Sequence, residues 1–316
     1  MEIRVAGGSD EEGIRSLFKV CFGKDLSHEE WLWKYRQSYL GSSSFIAEDS
    51  DRIIAHYGGF RMRFCAKGKT INAYQGCDVM THPKFRAMHF AKKGIIVRTA
   101  EAFYDANPME FIFGFPSERH AKLMRLQLGW EKHMFINVMK KERTDFKPFR
   151  NLFLKIEEGW DRISPEVIDN LWKKTRDSKD LSIEKNSRYI FWRYRNNPRG
   201  NYEIIGLKGL FKGDLKACVI IRVSNDDLSV LDLLVSPHND VNKVMGYIEH
   251  VALRRGVKTV CLWVNSSEKA CDDLKDSGYS EEKGIPYTLK VFKGSGVASD
   301  FFLRQYNYSM GDYDAA

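Results

Sequence analysis

The chain has 316 residues, 50 Lys and Arg against 42 Asp and Glu, a net charge of +8 and a mean hydropathy of −0.43. That length predicts two domains with sizeable cores, and hydrophobic and charged fractions of 43% and 29% exclude disorder or coiled coil as whole-chain descriptions. No run approaches the ~18 apolar residues of a membrane helix, the start MEIRVAGGSDEEG has no secretory core, and no CxxC, HExxH or close His/Cys cluster occurs, so a soluble protein of the reducing cytoplasm without metal or disulfides is expected.

In chain order, Ser9-Asp10-Glu11-Glu12 predicts a capped helix start, and Ile14, Leu17 and Phe18 supply its apolar face. A hairpin follows over Ser44–Ala47 and Ile53–Phe64, then a strand running to Pro83 and a long helix. Short strands are expected over Glu110–Phe115 and His133–Met139, separated by a helix that ends at Gly129. A second series begins with a helix at Ser164-Pro165-Glu166, where Pro occupies the first helical position. It continues with strands over Tyr202–Leu207 and Ala217–Val223 and a strand running to Pro237. Val241, Val244, Met245, Ile248, Val251 and Ala252 then recur at helical spacing, followed by a strand over Thr259–Asn265 and a helix ending at Gly278.

The two series share more than element order. Trp33-Lys34-Tyr35-Arg36 recurs as Trp192-Arg193-Tyr194-Arg195, and Asp78 through Pro83 finds an echo in Asp232 through Pro237. Ser117 with Gly129-Trp130 parallels Ser266 with Gly278-Tyr279, so the offsets are 159, 154 and 149. Two copies of one fold are expected, over residues 1–145 and 146–316, each an α/β unit with a mixed central sheet flanked by helices. The charge divides unequally between them. Residues 1–150 hold 25 basic and 18 acidic side chains, and the remainder 25 and 24. Arg52 to Arg98 contains ten basic residues and one acid, Asp78, which favours an anionic ligand.

Ile3-Arg4-x-Ala6 with Asp10, Ile14 and Leu17, the segment Val79-Met80-Thr81-His82-Pro83-Lys84-Phe85-Arg86, and Gly114-Phe115-Pro116-Ser117 with Leu128-Gly129-Trp130 carry a resemblance. Together they resemble the GNAT N-acyltransferase superfamily in a tandem two-domain form, in a subgroup with paired Trp-Lys/Arg-Tyr motifs. The resemblance implies acetyl-CoA or another acyl-CoA as co-substrate and transfer to a primary amine, an amino sugar or sugar nucleotide being one such acceptor. It places pantetheine against Val79, Met80 and Thr81, and the diphosphate on the turn Arg86-Ala87-Met88-His89-Phe90-Ala91, at a helix N-terminus whose free N–H groups favour anions. That turn departs from the family pattern by carrying His89 at a glycine position. The second copy lacks the arginine turn, so its cofactor loop reads as degenerate and its role as support for the acceptor cleft.

Acyl transfer to an amine requires removal of the ammonium proton and stabilisation of the carbonyl oxygen. Asp78, His82, Glu118 and His120 are the candidate proton-transfer residues, although the repeated Asp232 and the His-Pro turn also suit structural roles. The tyrosine that the family uses on the thiolate is absent where Met124-Arg125 stand, with Tyr74 and Tyr104 as substitutes. Trp31, Trp33, Tyr35, Trp192 and Tyr194 read as packing aromatics, with Lys34 and Arg36 facing outward. Two other functions fit the same residues: a non-catalytic binding or scaffold protein, and an aminoacyl-tRNA-dependent transferase. Plain nucleic-acid binding is disfavoured by the lack of any helix-turn-helix, finger or RNP motif.

Overall fold

The computed structural model describes residues 1–86, 89–90, 93–147, 149, 154–209, 214–237 and 240–313, with side chains left out at 89 and 90. The chain opens with β1 (Glu2–Val5), α1 (Glu11–Phe22) and α2 (His28–Tyr35), followed by β2 (Ser42–Asp49), β3 (Arg52–Ala66) and β4 (Lys69–Thr81). Two-residue strands β5 (His89–Phe90) and β6 (Lys93–Gly94) precede α3 (Ile95–Ala106), β7 (Phe111–Gly114), α4 (Glu118–Leu128) and β8 (Met134–Glu142). The second series is β9 (Leu154–Glu158), α5 (Pro165–Thr175), β10 (Ser182–Ile183), α6 (Ser187–Ile190), β11 (Tyr202–Gly209), β12 (Leu215–Ser224) and β13 (Asp227–Val235). It ends with α7 (Val241–Arg254), β14 (Thr259–Trp263), α8 (Lys269–Asp276), β15 (Ser280–Val291) and α9 (Ser299–Gln305).

Local chemistry explains the helix ends. Ser27 caps α2 in a reciprocal box with Glu30, and Gly23 and Gly129 close α1 and α4 in the left-handed conformation. Ile14, Leu17 and Phe18 are buried as their spacing predicts, and so are Val244, Met245, Ile248, Val251 and Ala252 of α7. The paired Trp-Lys/Arg-Tyr motifs lie on α2 and on a π-helical continuation of α6 over Phe191–Arg195.

One sheet holds both series together, in the order β1-β2-β3-β4-β7-β15-β8-β14-β13-β12-β11-β9, with β10 beside β3. The order is palindromic about the antiparallel pair β15/β8. On one side of that pair β4 runs parallel to β7, and on the other β13 runs parallel to β14. The final strand of each series is exchanged. β8 pairs with β14, and β15 returns to pair with β7. A hydrophobic cluster joins Trp33, Phe60, Phe64 and Phe113 to Tyr189, Trp192, Phe302 and Tyr306. At its centre the indoles of Trp33 and Trp192 stack at 5.3 Å, each donating its N–H to the other's carbonyl, at 2.7 and 3.2 Å. Such a stack adds about 0.5–1.5 kcal/mol beyond the area it buries.

Candidate active site

β4 carries the features that a ligand would meet. It pairs with β7 only through Ala73, Tyr74 and Gln75, so from Gly76 to Thr81 its β7-facing edge has no strand partner. The His82 amide donates to Ile54 of β3, and strand alternation therefore turns the amides of Thr81 and Val79 away from β3 toward the open side. Opposite Tyr57 the strand carries one extra residue, with Asp78 at φ +46°. This bulge re-aims the strand end, and Asp tolerates left-handed backbone better than most residues. Gly58 lets the neighbouring strand come close: a Cβ there would lie 2.9 Å from His56 Cε1 and 3.0 Å from Tyr35 Oη.

Three side chains hold the bulge. Lys34 Nζ donates to both Asp78 carboxylate oxygens at 2.8 and 2.9 Å, Tyr35 Oη donates at 2.6 Å, and His56 Nδ1 lies 2.7 Å from the Asp78 carbonyl oxygen. Burial pushes the Asp78 carboxyl up, but the Lys34 charge and the two donors outweigh it and hold it below the usual range. This alters two expectations. Lys34 does not face outward, since it is 1% exposed and its ammonium is spent on Asp78. Asp78, expected as a proton-transfer residue, is a buried carboxylate paired with Lys34 and Tyr35 and weakened as a base.

His82 is buried too. Its Nδ1 accepts from the Lys84 amide at 3.3 Å, capping the turn Pro83–Phe85, and Arg52 lies 2.7 Å from Nε2. Through Nδ1 the ring therefore shapes the turn. Met80 packs with Ile14 and Leu17 in the core, and its backbone is turned toward its partner His56 on β3. Glu118 is exposed in the first turn of α4, whose cap Ser117 accepts from the His120 amide. His120 is half-buried, and burial lowers its imidazole below the ordinary value, so the ring is neutral at pH 7. Tyr104 is bonded to Tyr57 Oη and Trp130 Nε1 and pushed up to about 12 by burial, while Tyr74 donates to Asn107.

The expected phosphate turn falls only in part within the described residues. Arg86 is exposed and donates through Nε to the Thr81 carbonyl oxygen at 3.1 Å. Ala87, Met88 and Ala91 lie outside the described residues, and of His89 and Phe90 only the backbone is described, paired with Lys93 and Gly94. Helix α3 begins at Ile95 behind Gly94, so the helix N-terminus stands after the expected turn rather than within it. Among the described residues no group of His, Cys, Asp or Glu could hold a metal, and no helix is long and apolar enough to cross a membrane.

The second series repeats the arrangement with changed partners. β13 carries an extra residue, Leu231, against β12, and Asp232 accepts from Tyr194, the counterpart of Tyr35. The counterpart of Lys34 is Arg193, but it donates to the carbonyls of Gly311 and Tyr313, and Asp232 instead takes Lys185 at 2.8 Å. Lys185 also pairs with Asp312, and burial together with that second carboxylate raises the Asp232 carboxyl. The pairing of a repeated tyrosine with a repeated aspartate was open to sequence reasoning, because both recur in the same order. His56 and Lys185 gave no such signal.

Residues 2–132 match the family model described as Acetyltransferase (GNAT) domain. No curated protein matches the chain. Among solved structures, the chain is similar to a probable N-acyltransferase from Enterococcus faecalis V583, with TM-score 0.73 and 11% identity over 92% of this chain and 72% of that one. A glucosamine N-acetyltransferase region of a fungal multi-domain β-N-acetylglucosaminidase aligns with TM-score 0.58 and 13% identity over 92% of this chain and 38% of that one. Saccharomyces cerevisiae N-myristoyltransferase with bound myristoyl-CoA aligns with TM-score 0.59 and 7% identity over 94% of this chain and 86% of that one. The bulged β4 thus lies within the stretch that matches a GNAT acetyltransferase domain, and the fold shared with the Enterococcus faecalis structure extends over 92% of the chain.

Proposed function

We propose that this chain is an acyl-CoA-dependent N-acyltransferase that seats its donor on the free edge of β4 and acylates a primary amine. The observation that carries this reading is the unpaired strand end with the Val79 and Thr81 amides turned outward beyond the Asp78 bulge. Pantetheine, itself a chain of amides, would pair with that edge, and the Val79 amide would donate to the thioester oxygen as negative charge develops there. Lys84 and Arg86 supply positive charge beside the turn where the diphosphate would rest. Lys34, Tyr35 and His56 act as positioning residues, since each touches Asp78 and so holds the strand end in place.

For the proton of the attacking ammonium we assign His120. It stands at the start of α4, the element after β7, and its neutral ring can accept a proton near pH 7. Residues 1–145 and 146–316 are read as two copies of one unit, with the donor bound by the first. An acetyl donor and an amino-sugar acceptor accord with the family model and with the glucosamine acetyltransferase likeness.

Titration calorimetry with acetyl-CoA tests the donor site. Saturable heat, weakened at least tenfold by Arg86→Glu and unchanged by Pro237→Ala, is expected. No heat at millimolar acetyl-CoA, or equal loss in both variants, would refute the assignment.

A further inference from the structure

The second series has its own opening. β13 pairs with β14 only from Asp227 to Val230, so the edge from Leu231 to Val235 is free on that side. The Ser236 amide donates to Lys216 of β12, which by alternation turns the Leu233 and Val235 amides toward the opening. Beneath that edge lies a cleft of about 760 Å³, within the range that holds organic ligands. Three polar atoms around it are buried without a partner: Ser182 Oγ, Asn242 Oδ1 and Asn307 Oδ1. Ser182 is only 5% exposed. Two of the three atoms are pure acceptors, and a ligand donating N–H groups would satisfy them.

Charge narrows the ligand further. Of the charged side chains that line the cleft among the described residues, five are acidic (Asp180, Asp232, Asp240, Glu268, Asp273) and three basic (Lys179, Lys185, Lys269). Each lysine is paired, with Glu268 at 2.5 Å, Asp232 at 2.8 Å and Asp273 at 2.5 Å, and Asp180 faces Lys67 at 3.4 Å, which leaves Asp240 as the lining carboxylate outside an ion pair among the described residues. Asp240 caps α7 by accepting from the Asn242 amide at 2.9 Å, and so places a carboxylate where a diphosphate would otherwise find a helix N-terminus. The lining thus carries two more carboxylates than lysines and suits an anionic donor less than the first opening does.

We propose that the cleft between β13 and β14 is a second ligand site, which takes an extended peptide segment bearing a basic side chain, added along the free edge of β13. The peptide main chain pairs with Leu233 and Val235, its N–H groups reach the orphan acceptors, and its cationic side chain meets Asp240. The same carboxylate, at the start of α7, disfavours phosphate-bearing ligands.

The test is calorimetry on the full chain with an N-acetylated, C-amidated hexapeptide of alternating Val and Lys, against its Val/Glu counterpart. Saturable binding of the Val/Lys peptide alone is expected, weakening as salt rises and indifferent to acetyl-CoA. Ala270→Phe, which fills the cleft from the half-buried face of α8, should abolish it. Asp240→Asn, which keeps the helix cap while removing charge, should weaken it about threefold. Circular dichroism establishes that both variants fold. Absence of heat with the Val/Lys peptide, equal binding of the Val/Glu peptide, binding undiminished in a folded Ala270→Phe, or displacement by acetyl-CoA would each overturn the proposal. None of these outcomes touches the acetyl-CoA titration at β4, which stands or falls with Arg86→Glu.

Discussion

At Asp78 a carboxylate, an ammonium and a phenol share a volume closed to water, so removing one partner strands another. Asp78→Asn leaves the Lys34 ammonium buried without its countercharge and should cost about 3–5 kcal/mol, read by urea denaturation at pH 7. The pH dependence follows from the direction of the shift. The folded carboxyl lies below its ordinary value near 3.8, so its contribution is present above that value and disappears as pH falls through the folded one. The stability gap between wild type and Asp78→Asn should therefore be widest above about pH 5 and close on acidification below about pH 4. A gap that persisted at low pH would show that the ion pair is not its source. His120 provides the catalytic counterpart. Its folded value is lowered, so the acid limb of kcat/KM should fall below the ordinary imidazole value of 6.5. His120→Gln should reduce kcat about a hundredfold and remove that limb, with acetyl-CoA affinity unchanged. A full-rate variant would return the base assignment to Glu118.

Among the elements, the turn after β13 and the segment Tyr306–Tyr313 show how one residue type governs a contact between distant parts of the chain. The turn Met310–Asp312 packs on β13, where a Cβ at Gly311 would land on Tyr194 Oη and 3.0 Å from the Leu231 carbonyl oxygen. A phenol ring fixed by its bond to Asp232 cannot yield by rotating. Gly311→Ala should accordingly destabilise by about 1–3 kcal/mol through overpacking, with a lowered thermal midpoint. An unchanged midpoint would mean that the segment can lift from β13. In α2 the spacing of Trp31, Trp33 and Tyr35 by two resembles a strand, yet the capping box at Ser27 and Glu30 starts a helix and tertiary packing buries two faces of it. That is why Lys34, between the aromatics, is inside rather than outside.

On the scale of the whole molecule, the exchange of β8 and β15 makes the two series interdependent. Removed from its partner, the first series would keep β7 without β15 and β8 without either neighbour, leaving apolar strand edges open. The fragment 1–145 expressed alone should be largely unfolded or aggregated, as seen by circular dichroism and gel filtration. Co-expression with 146–316 should restore a soluble complex, and a well-folded monomeric 1–145 would contradict the exchange. The stacked Trp33 and Trp192 reinforce the same union.

The amino-acid sequence by itself determined many of the helices and strands, such as α1 and α7, and the concentration of positive charge in the first half, because periodicity, caps and composition are local properties. It also marked Asp78 and Tyr35 through their repeated counterparts. Partnership across the fold was decided only in three dimensions. Nothing local tells β8 that its neighbours are β14 and β15, or tells Lys34 that its carboxylate lies 44 residues away. The second cleft is of the same kind, since Ser182, Asn242 and Asn307 come from three separate elements and loops and share a site only where β13 and β14 part.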